Sequence, residues 1–126
     1  MTFFLFLAFF SPFSHKVHIE TAKVRCLDCH KVPEKFGDEV AYPAVAKCAL
    51  CHPKIDRETK IPSARTVKLP DFVYFDHRFH HLNDVKCEDC HGAQVESKTT
   101  TKMIFCQGCH AEMKAARGCN TCHELR

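Results

Sequence analysis

Cysteine and histidine are the residues in this chain with metal and redox chemistry open to them, and their spacing is regular. The ten Cys fall as Cys26/Cys29, Cys48/Cys51, Cys87/Cys90, Cys106/Cys109 and Cys119/Cys122, all at CxxC spacing with none left over. A His follows each pair directly: His30, His52, His91, His110 and His123. The five strings are CLDCH, CALCH, CEDCH, CQGCH and CNTCH. Two thiols separated by two residues lie along one edge of a flat macrocycle, and the adjacent imidazole points at its centre. This is the attachment pattern of c-type haem, with the His as proximal iron ligand. A random chain with this Cys and His content would hold about 0.06 copies. Zinc also uses paired CxxC units, but it does not require His after every second Cys. A disulfide framework does not require it either. Thioredoxin-like exchange needs a βαβ context that this sequence lacks.

Five His stand outside the motifs: His15, His18, His77, His80 and His81. Five haems with five proximal ligands need five more to be six-coordinate, so the count predicts bis-His ligation at every iron. Met is the other common sixth ligand. Met103 and Met113 flank Cys106–His110 too closely to reach that haem's far face and are expected to pack against porphyrin. Two imidazoles favour ferric iron over ferrous more than a His/Met pair does, so low potentials are expected. With ten His for ten axial positions, no iron is open to substrate, and the expectation is a carrier rather than an enzyme.

These residues need a scaffold, and the composition says of what kind. The chain has 126 residues, enough for one domain or two small ones. Trp is absent, and five of the eleven Phe lie in the first ten positions. Beyond that start, aliphatic residues are too sparse for a conventional core. The predicted fold class is a small, mostly irregular and α haem-organised fold. Short helices carry the CxxCH strings, β structure is minimal and haems form the core. Residues 72–75 are β-prone. CHAEMKAAR, 109–117, predicts a helix stopping at Gly118.

An internal repeat divides the chain. Phe13-Ser14-His15-Lys16-Val17-His18 and Phe75-Asp76-His77-Arg78-Phe79-His80 share the pattern F-[SD]-H-[KR]-x-H. A CxxCH follows each, 11 residues after His15 and 10 after His77. The reading is an apolar N-terminal segment at 1–11, a dihaem unit A at 12–53, a linker at 54–71 and a trihaem unit B at 72–126. The run FFLFLAFF is too short to span a bilayer. It lacks the basic start and A-x-A site of a secretory signal. It is read as a signal or anchor remnant, or as a retained docking segment.

F-[SD]-H-x-x-H followed by CxxCH resembles the class III multihaem cytochromes c, compact low-potential bis-His proteins. Unit B, with FDHRFHH, CEDCHG, CQGCH and CNTCHE, is similar to a whole trihaem member, and unit A to a shortened copy. The pentahaem subunit of alternative complex III, with FSHK-x-H before CxxCH, is a further resemblance. The class III resemblance implies that His15 serves the haem of Cys26/Cys29 and His18 that of Cys48/Cys51. It likewise implies His77 for Cys87/Cys90 and His80 for Cys106/Cys109. Trihaem members take their last distal His from between later motifs, where this chain has none, so His81 is left for Cys119/Cys122. A crossed arrangement, with a unit B His on a unit A haem, stays open.

The formal charge of +3 does not point to nucleic acid. Five haems add ten propionates, which leaves the oxidised protein at about −2. Lys and Arg are expected to neutralise propionates and to form a face for redox partner proteins. The functional reading is a pentahaem electron-transfer protein carrying five covalently bound haem c. Haem attachment sets its location as periplasmic or otherwise extracytoplasmic. Two alternatives are a subunit of a membrane quinol-oxidising complex and a protomer of an extracellular cytochrome filament.

Overall fold

A computed structural model of the protein describes residues 13–61, 68–93, 95 and 101–124. The N-terminal segment 1–11, and residues 62–67 of the expected linker, lie outside the described residues. The elements are short: α1 (Cys26–Cys29), α2 (Val45–Cys48), α3 (His77–Leu82), α4 (Cys87–His91), α5 (Met103–Glu112) and α6 (Cys119–Cys122). A π-helical turn, Val17–Thr21, precedes α1. Four of the CxxC pairs lie wholly within helices, and in the fifth the helix ends at the first Cys, Cys48. As expected, the chain is helical and irregular with almost no strand. Among the described residues β pairing is limited to two isolated antiparallel bridges, Lys31 with Ala41 and Val73 with His123.

No hydrophobic side chain among the described residues is buried. Pro33 and Asp76 are the buried residues there. Leu50, Ile104, Phe36, Phe13 and Leu82 are more than 60% exposed. The described residues therefore enclose no hydrophobic core of their own, and local hydrogen bonds set their arrangement.

Those bonds repeat between the two units. Ser14 and Asp76 open equivalent turns: Val17 N–H donates to Ser14 Oγ at 3.3 Å, and Phe79 N–H to Asp76 Oδ1 at 3.1 Å. Asp76 is an acidic N-cap, favourable at a helix start. The turns also end alike, with Lys23 and Asp84 in the left-handed region at φ 56° and 60°. In unit B the Val85 N–H reaches back to His80 C=O, and Asp84 N–H to His81 C=O, a Schellman closure. In unit A the Val24 N–H reaches His18 C=O, one residue further. The Ala22 N–H to Val17 C=O bond is the wider i to i−5 type. The extra residue between His15 and Cys26 is thus absorbed as a π-turn. Arg25 and Lys86 N–H groups then donate to Asp28 and Asp89 Oδ2 at 2.9 and 3.0 Å, starting α1 and α4 identically.

Two sequence expectations need correction. The helix around Cys106–His110 begins at Met103 and ends at Glu112, well before Gly118. Lys114 at φ 54° ends it, with Lys114 N–H bonded to Ala111 C=O and Ala115 N–H to His110 C=O. This second Schellman closure overrides the helix-forming AEMKAAR run. Gly118 instead is the extended N-cap of α6. Residues 72–75 form no strand: Tyr74 N–H donates to Cys122 C=O, and the Val73–His123 bridge is the whole of the pairing.

Candidate haem-attachment centre

The motif His and the free His meet in pairs. His15 faces His30 with ring centres 6.3 Å apart, and His77 faces His91 at 6.3 Å. His18 faces His52 at 6.1 Å, and His80 faces His110 at 6.0 Å. Imidazoles bound to one metal from opposite sides, each at about 2.0–2.1 Å through nitrogen, have ring centres roughly 6 Å apart. Direct stacking would bring them closer. Ring planes can take any mutual angle about such an axis. The angles here are 14° and 7° for the first pair of each unit, and 56° and 49° for the second.

The other ring nitrogens fix which atom faces inward. His18 Nδ1 lies 2.8 Å from Ser14 C=O, and His80 Nδ1 2.8 Å from Asp76 C=O. His30 Nδ1 lies 3.0 Å from Ala41 C=O, and His110 Nδ1 2.7 Å from Ala116 C=O. A carbonyl only accepts, so Nδ1 carries the proton and Nε2 keeps its lone pair. This is the usual support of a metal-bound imidazole. Burial, aided by nearby His30, lowers the His91 pKa and favours the neutral ligand form. Phe13 and Phe75 brace the rings of His15/His18 and His77/His80 in the same way. Each stands edge-on to the first His at 4.9 and 4.8 Å and stacks on the second at 4.5 and 4.6 Å.

The motif cysteines are also neighbours in a definite order. Cys26 and Cys87 line one cavity of about 450 Å³, together with Val24, Gly92, Ala93 and Val95. Burial raises the Cys87 thiol pKa, and a hydrogen bond with Cys26 raises it further. Burial likewise raises Cys29, with Cys48 and Cys51 nearby, and Cys90, with Cys109 and Cys106 nearby. The four motifs thus run in the order 48/51, 26/29, 87/90, 106/109, with the two units meeting at Cys26 and Cys87.

The fifth motif differs. The Val73–His123 bridge and the Tyr74–Cys122 bond hold it beside the approach to α3. His123 faces Phe72 at 5.8 Å, with planes 35° apart. His81 is exposed and makes no ring contact with a described residue. The structure therefore brings together four of the five expected His pairs and does not bring His81 to His123. Among the described residues no group of three or more His, Cys, Asp or Glu side chains could hold a metal ion by itself. Paired axial ligands around a planar cofactor need no such cluster.

Sequence reading missed Asp76. It caps α3 and also accepts from Gly37 N–H at 2.7 Å, across 39 residues of chain. Its carboxyl pKa is lowered, chiefly by the Gly37 bond. Phe36 and Phe79 touch edge-on beside this bond, ring centres 5.8 Å apart. The visible signal was Asp76 standing where Ser14 stands in unit A; the Gly37 contact had none.

No protein-family model matches the chain. It is 28% identical to the multihaem cytochrome c subunit of menaquinone reductase from Nitratidesulfovibrio vulgaris, covering 89% of this chain and 75% of the relative. This likeness supports a multihaem cytochrome c family. The ten cysteines of the chain are in keeping with that likeness. Among the described residues no helix is long and apolar enough to cross a membrane.

Proposed function

We propose that this chain is a pentahaem electron-transfer protein working outside the cytoplasm between redox partner proteins, and not an enzyme. The observation that carries the reading is the set of four His pairs at 6.0–6.3 Å, each including the His of a CxxCH motif. Cys26/Cys29, Cys48/Cys51, Cys87/Cys90, Cys106/Cys109 and Cys119/Cys122 hold five haems by thioethers. His30, His52, His91, His110 and His123 are the proximal ligands. His15, His18, His77 and His80 are distal to the first four, which matches the class III pairing without crossing between units. Bound haem supplies a one-electron ferric/ferrous couple.

The polypeptide's work is spacing and ligation. His15/His18 and His77/His80 are three residues apart on single turns, so each turn ties two attachment sites closely. The Cys26–Cys87 contact joins the two units. The chain thereby lines up four sites as an electron route, with the His123 site beside the start of α3. With no buried hydrophobic side chain among the described residues, the macrocycles are the core of the folded protein.

A second reading, membership of a quinone-linked membrane complex, is favoured by the relative, which is a subunit of a menaquinone reductase. That name concerns quinone reduction, whereas the sequence alternative was quinol oxidation. Native purification tests both readings. Five haems on a chain that travels alone support the soluble carrier. Stable co-purification with integral-membrane subunits supports the complex. A mass short of five haems overturns the pentahaem assignment.

A further inference from the structure

Ten His for ten axial positions implies saturation, but their placement does not. α3 carries three His, and two of them, His77 and His80, face motif His. His81 lies in the last turn of α3, exposed, without a ring contact to a described residue. His123 is tethered at the other end, to Val73, ahead of the α3 N-cap Asp76. The ring facing His123 is Phe72, which has no donor atom. Every other His is either a motif His or already paired with one.

His123 also lacks the support that His30 and His110 receive. Its Nδ1 is buried and has no hydrogen-bond partner. In His30 and His110 the same atom donates to a backbone carbonyl. Such a bond strengthens the imidazole as a donor and fixes its orientation. An imidazole without it is a weaker proximal ligand.

We propose that the haem on Cys119 and Cys122 is held axially by His123 alone, that its sixth position is exchangeable and takes neutral diatomic ligands, and that His81 ligates no iron of its own chain. The inference rests on the haem-binding reading above. It makes this site the one place in the protein where ligand chemistry at iron is available, on the flank next to exposed Phe72.

The test uses the intact holoprotein, with haem content first fixed by mass. Dithionite-reduced wild type is titrated with carbon monoxide, and the ferric protein is examined by electron paramagnetic resonance. The expected result is one carbon monoxide per five haems and one high-spin ferric haem per chain. His81→Ala and His81→Phe leave both unchanged. No binding by wild type, with one equivalent gained in His81→Ala, makes His81 the ligand and overturns the proposal. No binding by either protein also overturns it, and assigns the position to another group, such as the Met103 thioether. A mass below five haems overturns the underlying reading instead, so the two failures are distinguishable.

Discussion

His77 and His91 face each other 6.3 Å apart with planes 7° from parallel, while His80, on the same helix as His77, is inclined by 49° to His110. Unit A repeats the contrast, with 14° for His15/His30 and 56° for His18/His52. The angle between axial imidazole planes sets the anisotropy of low-spin ferric haem. Two classes of low-spin signal are expected, two haems in each, with one member of each class per unit. Replacing His77 with Ala should remove half of the near-parallel class and leave the inclined class intact. Four indistinguishable signals, or a split by unit, would contradict the ring geometry.

Intact mass checks attachment. Five haems add about 3.1 kDa to the apoprotein. Cys48→Ala/Cys51→Ala should lose about 0.6 kDa, one haem, while the other four motifs load normally. Reductant-sensitive disulfides in the wild-type holoprotein would argue against thioethers at those sulfurs.

Apoprotein made without haem attachment should show no cooperative thermal transition. The described residues bury no hydrophobic side chain, so among them no core offsets chain entropy until cofactor is bound. Circular dichroism of apoprotein and holoprotein checks this. A sharp transition without haem would mean that the chain carries a core of its own.

Asp76 joins the units through Gly37, and its effect is separable from capping. Asp76→Ser restores the residue type found at Ser14, which keeps a cap but gives up the Gly37 bond. Asp76→Ala removes both. Melting temperature should fall by a few degrees for Ser and further for Ala. Five haems should be retained in the Ser variant. Equal losses would show that capping alone matters.

Much of the proposed site was legible, because axial ligation and thioether attachment would demand fixed residue types at fixed spacing. Cys26–His30 and its four counterparts, and the Phe13 and Phe75 segments, could be read from the chain alone. The pairing of His15, His18, His77 and His80 followed from resemblance, and the structure sets their rings 6.0–6.3 Å from those of His30, His52, His91 and His110. What could not be read depends on backbone detail. Lys114 adopts a left-handed conformation that Lys disfavours, so no residue signal marked the end of α5. Counting His predicted a partner for His123, but counting carries no direction, and His81 is placed away from it. Asp76 to Gly37 is a contact between two polar groups with no periodicity to betray it.

The π-turn supplies the sharpest test of the repeat. His15 precedes Cys26 by 11 residues and His77 precedes Cys87 by 10, and the surplus residue in unit A lies after His18. There it widens the turn at Val17–Thr21, and Val24 N–H still closes on His18 C=O. Both ligands sit before the surplus, so removing one residue behind them should leave their phase unchanged. Deletion of Glu20 therefore converts the unit A turn to the unit B form. Five haems, both low-spin classes and near wild-type stability are expected. Deletion of Val17 is the opposing case. It brings His15 and His18 from three residues apart to two, which on a helix turns them to different faces. At least one of the unit A haems should then lose its distal ligand, read as a new high-spin signal and a gained equivalent of carbon monoxide. If the two deletions behave alike, the turn is not the device that holds His15 and His18 in register.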